Sequence, residues 1–361
     1  ESSYKYKVVA WLQEMARIIR SVKFSKSPHF TLQKADADIT GYLQYRTEHF
    51  KVLLLQYKTL IGFKVLVTAA MLSVGTFLMI NQQLTVGQFI AAEIVILTIL
   101  NSVEKLIVNL DSVYDVLTAV EKIEQVTDKE SEKQGSVVYS AKNNEGIAVT
   151  IKDLAFGYSG SGKVLNNISL EAKSGDKICI TGNDGSGKST LLRLLTGMYD
   201  DFEGNILFNG IPLKNYNLQL LRQKIGVMIS QQDIFEGTLM ENICMGLENP
   251  DMEELMYLCK KTGLAEFIST LKNGFDSPLN TNGRKLSATV VRKILLVRAL
   301  INKPALLLLE EPWHGIETQY QQQIKTLLLQ EMKNTTMFII SKDADFAAAC
   351  NKTIHMKNAK N

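Results

Sequence analysis

The first hundred residues set apolar and polar positions in two different rhythms. Through residues 1–22 the apolar side chains Val8, Trp11, Leu12, Met15 and Ile18 recur at helical spacing, which predicts an amphipathic helix. Ser27-Pro28 interrupts it, because proline brings no backbone donor and disfavours a helical residue before it. A second helical stretch is predicted from about Thr31 to Lys58. The rhythm then gives way to nearly unbroken apolar runs. Residues 59–80 (TLIGFKVLVTAAMLSVGTFLMI) hold one charge, Lys64, and as a helix would extend about 33 Å, enough to cross a bilayer. Residues 86–103 (VGQFIAAEIVILTILNSV) also hold one charge, Glu93.

The charge pattern around this hairpin gives it a direction. The connection NQQLT has no Lys or Arg, whereas Lys5, Lys7, Arg17, Arg20, Lys23, Lys26, Lys34, Arg46 and Lys51 precede the spans and Lys105 and Lys122 follow them. The positive-inside rule then places the tip outside and both flanks in the cytoplasm, with a lipid membrane as partner. Two buried helices of a soluble protein are the competing account, and the length and charge asymmetry weigh against it. Lys64 lies about 24 Å from the tip and Glu93 about 10 Å, so a direct bridge between them is not expected. Lys64 is expected to snorkel to the cytoplasmic edge, and Glu93 to face a cavity.

Residues 126–146 (VTDKESEKQGSVVYSAKNNEG) lose the apolar pattern and read as a linker. Beyond them short β-rich runs alternate with helical patterns to about residue 357, which predicts an α/β domain with a largely parallel sheet. The division expected is therefore 1–125, a helical membrane part with spans at about 59–80 and 86–103; 126–146, linker; and 147–361, the α/β domain.

Composition changes this picture little. The formal net charge is +3, from 40 Lys plus Arg against 37 Asp plus Glu, and no basic run points to nucleic acid. Hydrophobic residues make up 46%, so the membrane signal is local. Cys179, Cys244, Cys259 and Cys350 form no C-x-x-C pair and read as small buried hydrophobes in a reducing compartment. The chain opens on Glu1 inside a helical pattern, and is expected to be a fragment of a longer protein.

The chemistry is concentrated in two places. Gly182-Asn183-Asp184-Gly185-Ser186-Gly187-Lys188-Ser189 follows the apolar run from Lys177 to Thr181 and opens a helix that starts with Ser189 and Thr190. Glycines allow successive backbone amides to wrap a polyphosphate, and the helix N-terminus adds positive potential. Lys188 would reach the β- and γ-phosphates and the Ser189 hydroxyl would bind Mg²⁺, so ATP and Mg²⁺ are the expected cofactors. Ala305-Leu306-Leu307-Leu308-Leu309-Glu310-Glu311-Pro312 is a buried strand ending in two carboxylates. One such carboxylate, Glu310, can hold Mg²⁺ through water, and the next, Glu311, can orient the attacking water.

The spacing from Phe156 to Lys342 resembles the nucleotide domain of ATP-binding cassette (ABC) transporters, and the preceding helices resemble the exporter subfamily. The resemblance covers nearly the whole chain from the end of a fourth membrane helix onward, and implies that four helices are missing. It also implies that Tyr158 stacks on adenine and that Gln231 touches Mg²⁺ and senses the membrane domain. Residues near 24–32 would carry a coupling helix. Phe235-Glu236-Gly237-Thr238-Leu239 and Glu241-Asn242-Ile243 are exporter-like as well.

Three positions depart from the family. Its Leu-Ser-Gly-Gly-Gln signature appears as Leu286-Ser287-Ala288-Thr289-Val290, retaining Ser287 but replacing glycines with residues that resist glycine-only conformations. The first carboxylate after the strand is Glu310 rather than Asp, longer by about 1.3 Å. The switch histidine is Lys342, which can neutralise a γ-phosphate but lacks an imidazole's acceptor. The resemblance implies sites shared between two cassettes, hence a homo- or heterodimeric second half-transporter subunit, with Glu311, Lys188, Gln231 and Lys342 as the catalytic set. The expectation is a slow ATPase driving export of an unknown substrate. The alternatives are a regulatory half-transporter dependent on a catalytic partner, and a soluble cassette protein of DNA repair or translation, which the apolar hairpin argues against.

Overall fold

The computed structural model describes residues 2–357 except Lys26, Pro28, 141–144, Ser161, 231–233, 281, 282, 284 and 285; for Ser2, Arg20, Val108 and Asp111 only the backbone is described. The chain divides into two compact units, Glu1–Ser131 and Glu132–Asn361.

The first unit is helical. Ser2–Arg17 and Ile19–Lys23 are separated by a break at Ile18, earlier than the Ser27-Pro28 interruption expected from the sequence; Pro28 itself lies outside the described residues. The segments expected as separate pieces at about 31–58 and 59–80 form one 51-residue helix, Phe30–Ile80. The span expected at 86–103 continues without interruption as Val86–Thr127. Gln82, in a left-handed conformation, turns the chain between the two helices. Thr85 and Gln88 start the second with a reciprocal capping box. The helices meet where Phe89 packs on Gly75, at which a Cβ would lie 2.2 Å from the ring. Leu60 and Leu100 are also buried, while Phe63, Leu66, Phe77, Val95 and Ile99 are more than half exposed. Both helices are long and apolar enough to cross a membrane.

The two lone charges do not behave alike. Lys64 forms an ion pair with Glu104, forty residues on, and both side chains are about two-thirds buried. Lys64, expected to snorkel, is bridged to the second long helix, where Glu104 rather than Glu93 comes level with it. Glu93 has no ion-pair partner among the described residues.

The second unit contains a five-stranded parallel sheet built from β3 (Lys177–Gly182), β6 (Ile225–Met228), β9 (Leu306–Glu310), β10 (Thr336–Ile340) and β11 (Lys352–Met356). Their order across the sheet is β11-β3-β10-β9-β6. They read as continuous apolar runs because both faces are covered. Cys179, Leu307, Leu309, Met337 and Ile339 pack on one side with the helix Ala288–Leu300. Ile178, Ile180, Leu306, Leu308, Phe338 and Ile340 pack on the other with the helix Lys188–Leu195.

A second, antiparallel sheet was not anticipated. It has the order β2-β1-β4-β5, built from β1 (Val149–Phe156), β2 (Leu165–Ala172), β4 (Glu203–Phe208) and β5 (Ile211–Pro212). The eight residues between β1 and β2 are too few for a parallel crossover, so the strands pair as a hairpin. A further antiparallel pair joins β7 (Gly237–Thr238) to β8 (Pro278–Leu279). All four cysteines are free thiols, with Cys179 and Cys259 buried.

Candidate nucleotide site

β3 delivers the chain into the glycine loop, and the helix Lys188–Leu195 carries it away. Two glycines there are sterically required. A Cβ on Gly182 (φ 138°) would lie 2.3 Å from the Met356 carbonyl oxygen. One on Gly187 (φ 86°) would lie 2.5 Å from Leu165. Between them Ser186 is buried, and its backbone N–H donates to the Asn183 carbonyl at 3.2 Å. Lys188 folds over the loop, its Nζ donating to the carbonyls of Gly182 (2.8 Å) and Asn183 (2.6 Å).

The parallel neighbours of β3 bring the remaining groups to the same sheet edge. β10 lies beside β3 and β9 beside β10, so Ile340, Glu310 and Ile180 come level. A cleft of about 520 Å³ results, lined among others by Asp184, Lys188, Ser189, Glu310, Glu311 and Lys342. Glu310 is bound on both oxygens. Ser189 Oγ donates to Oε1 at 2.7 Å, and the Ser230 backbone N–H and Oγ each donate to Oε2 at 2.8 Å. Burial alone would raise its pKa, but these donors outweigh it and hold the carboxyl below the usual glutamate value. Glu311 is the opposite case. Burial pushes it above the usual value despite the opposing charges of His314, Lys342 and Arg292. Its backbone takes φ 45°, fixed by its N–H on the Ile340 carbonyl (2.9 Å) and by Arg292 Nη1 on its own carbonyl (3.2 Å). Lys342 Nζ lies 3.3 Å from Asp184 in the glycine loop.

Of the other sequence-selected residues, Thr190 also lines the cleft, while Tyr158, Ser287 and Gln231 lie elsewhere or outside the described set. Thr190 is buried and shares a hydrogen bond of 3.1 Å with Tyr158 Oη, which also accepts from Arg193 Nη1 at 3.3 Å. Tyr158 is packed edge-on against Phe156 and Tyr199, and does not line the cleft. Ser287 caps the helix Ala288–Leu300, its Oγ accepting from the Val290 N–H at 3.2 Å, and it too stands apart from the cleft. Ala288 and Thr289 are ordinary first-turn helical residues, not left-handed ones. The conformational objection to them is therefore corrected: what they add is side-chain bulk at a helix N-terminus. Gln231 lies outside the described residues. Sequence reasoning passed over Ser230, Arg292 and His314. Only Ser230 carried a signal, a hydroxyl beside the glutamine already singled out.

A family model described as ABC transporter matches residues 165–314, from the start of β2 past both acidic residues to His314. This unit carries an ABC transporter domain. Among curated relatives, an uncharacterized ABC transporter ATP-binding protein, YknV of Bacillus subtilis (strain 168), is 29% identical over 287 residues, 77% of this chain and 47% of the relative. An ATP-dependent lipid A-core flippase of Haemophilus influenzae (strain 86-028NP) is 31% identical over 227 residues, 62% of this chain and 38% of the relative. The chain spans half or less of the length of these two relatives. A solved bacterial Atm1-family ABC exporter with ATP bound shares the fold, with a TM-score of 0.87 at 21% identity over 98% of this chain and 62% of that one. The ABC domain accounts for the glycine loop as a nucleotide-binding element, and the helical unit followed by an α/β cassette is an exporter-type fold.

Proposed function

We propose that this chain is the ATP-binding and ATP-hydrolysing part of an ABC exporter half-transporter, which couples Mg-ATP binding and slow hydrolysis to export of a substrate across a membrane. The observation that carries the reading is the convergence of Lys188, Ser189, Glu310, Glu311 and Lys342 on one cleft at the sheet edge. The homologous flippase and the exporter fold support the transport half of it.

The donor set suits Mg²⁺. Ser189 donates its hydroxyl hydrogen bond to Glu310, which leaves the hydroxyl lone pairs for a hard cation, and Glu310 adds carboxylate oxygen. Bound Mg²⁺ would supply neutralisation of polyphosphate charge. Lys188 would exchange its two loop carbonyls for β- and γ-phosphate oxygens, and the turned-in amides of 182–187 would take the rest. Glu311, kept partly desolvated, would orient water and accept its proton. Gln231 is assigned as metal contact and sensor, and Tyr158 as adenine platform. Ser287, exposed on its own helix, would serve the cleft of a second subunit, identical or different.

Residues 59–80 and 86–103 would cross the membrane and 24–32 would carry the coupling helix, with the cassette from 147 onward in the cytoplasm. Steady-state Mg-ATP hydrolysis by the full chain in lipid nanodiscs, compared with Glu311→Gln, tests the proposal. Slow turnover that disappears in the variant supports it. Turnover at background in both, with ATP still bound, would reduce the chain to a regulatory binder, and absence of ATP binding would overturn it.

A further inference from the structure

We propose that Ser230 is a positioning residue for the metal, acting by clamping Glu310. The inference rests on the Mg-ATP reading of this cleft and deepens it. Glu310 has one more rotatable bond than the aspartate found at this position in the family it resembles, so its carboxylate needs more fixing to point at one place. The fixing is visible. Ser230 supplies two donors, backbone N–H and Oγ, both 2.8 Å from Oε2. With Oε2 held, Oε1 is left to accept the Ser189 hydroxyl hydrogen bond at 2.7 Å. The Ser189 hydroxyl is thereby oriented with its proton inward and its lone pairs available. Two residues from separate elements (Ser189 at the helix start after the glycine loop and Ser230 in the segment after β6) thus converge on the one carboxylate at the end of β9.

Such a clamp has two consequences. Groups that orient a metal's ligands set its affinity nearly as strongly as the ligands do. Ser230 also adjoins Gln231 in sequence, so a carboxylate that orients the metal site simultaneously fixes the start of the segment carrying the proposed sensor. The arrangement makes metal loading and the position of Ser230 two readings of one contact.

The experiment is Mn²⁺ binding to the full chain in detergent with saturating ATP, read by electron paramagnetic resonance. ATP binding in EDTA is measured alongside it. Ser230 is exposed, so its substitution leaves the core intact. Ser230→Ala is expected to weaken Mn²⁺ about tenfold or more while metal-free ATP binding is unchanged, and Ser230→Thr, which keeps the hydroxyl, restores it. In a Glu310→Asp background the effect of Ser230→Ala shrinks below about twofold, because the shorter side chain no longer spans both serines. Equal Mn²⁺ affinity in the wild type and Ser230→Ala would overturn the clamp alone. A wild-type chain that binds ATP but shows no Mn²⁺ uptake would overturn the clamp together with the reading beneath it.

Discussion

Lys342 Nζ lies 3.3 Å from the Asp184 carboxylate, joining the segment after β10 to the glycine loop across the mouth of the cleft. Both side chains are largely exposed, 71% and 88%, so the pair is screened and contributes little to stability. Its weakness leaves Lys342 free to exchange one anion for another. Lys342→Ala is expected to weaken ATP binding about tenfold with a much smaller effect on ADP, which lacks the γ-phosphate. Asp184→Asn removes a competing carboxylate and moves ATP affinity the other way. Calorimetric titration with both nucleotides checks the pair, and equal losses for ATP and ADP in Lys342→Ala would contradict it.

Burial raises the Glu311 carboxyl above its ordinary value, and a general base works only when deprotonated. As pH falls, hydrolysis should therefore fail at a higher pH than an ordinary glutamate would give. The same shift has a stability consequence of known sign. The folded chain holds this proton more tightly than the unfolded chain, so folding weakens as pH rises from the unfolded value through the folded one. Glu311→Gln is expected to abolish the acidic limb along with turnover, and to raise the melting temperature slightly at neutral pH. A pH–rate profile and a melt at two pH values measure both effects.

Ala288 and Thr289 stand in the first turn of the helix Ala288–Leu300, and Thr289 Oγ1 donates to the Gly315 carbonyl at 2.9 Å. Replacing both by glycine removes that bond and adds backbone entropy to the unfolded state, costing about 1 kcal/mol per residue. It also removes side-chain bulk beside Ser287. The double variant should melt at a lower temperature yet turn over ATP faster, by up to about a hundredfold if bulk there displaces a reacting group by about 1 Å. Lower turnover together with lower stability would argue that the bulk is part of the working surface.

The Lys64–Glu104 pair ties the two long helices where both side chains are about two-thirds buried. Lys64→Met leaves a carboxylate unpaired in apolar surroundings, and Glu104→Gln leaves an ammonium. Each single change should destabilise the helical unit more than the double change does, with a coupling of about 0.5–3 kcal/mol. A four-variant denaturation series in detergent gives that coupling, and additivity would show the bridge to be worth nothing.

The sequence made the parallel sheet and its edge chemistry readable because buried parallel strands are uniformly apolar and the glycine loop has fixed spacing. Lys188, Ser189, Glu310 and Glu311 were legible from that pattern and Lys342 only through the family resemblance, and all five line one cleft. What escaped was tertiary. The antiparallel strands β1 and β2 alternate burial imperfectly through bulges near Leu154, which blurs a period-two signal. Glu104 was invisible as the partner of Lys64, since it lies beyond the apolar run that drew attention to Glu93. Ser230 became meaningful only once β6 was placed beside β9, a pairing of strands some eighty residues apart. The signature's departure was legible as a change of residue, but not as a helical turn in which glycine's freedom is unused.

Arg222 holds the first residue of the second unit against the helix of the glycine loop. Its guanidinium grips Glu132 with Nη1 at 2.7 Å and reaches the carbonyls of Thr196 (3.0 Å) and Gly197 (2.9 Å), just past the end of Lys188–Leu195. Backbone bonds from Gly135 and Val137 to Tyr216 and Asn215 stitch the next residues down in the same way. The entry to the cassette is therefore pinned at Glu132, Gly135 and Val137. A single guanidinium thus makes the end of the phosphate-binding helix and the first residue of the cassette share one anchor.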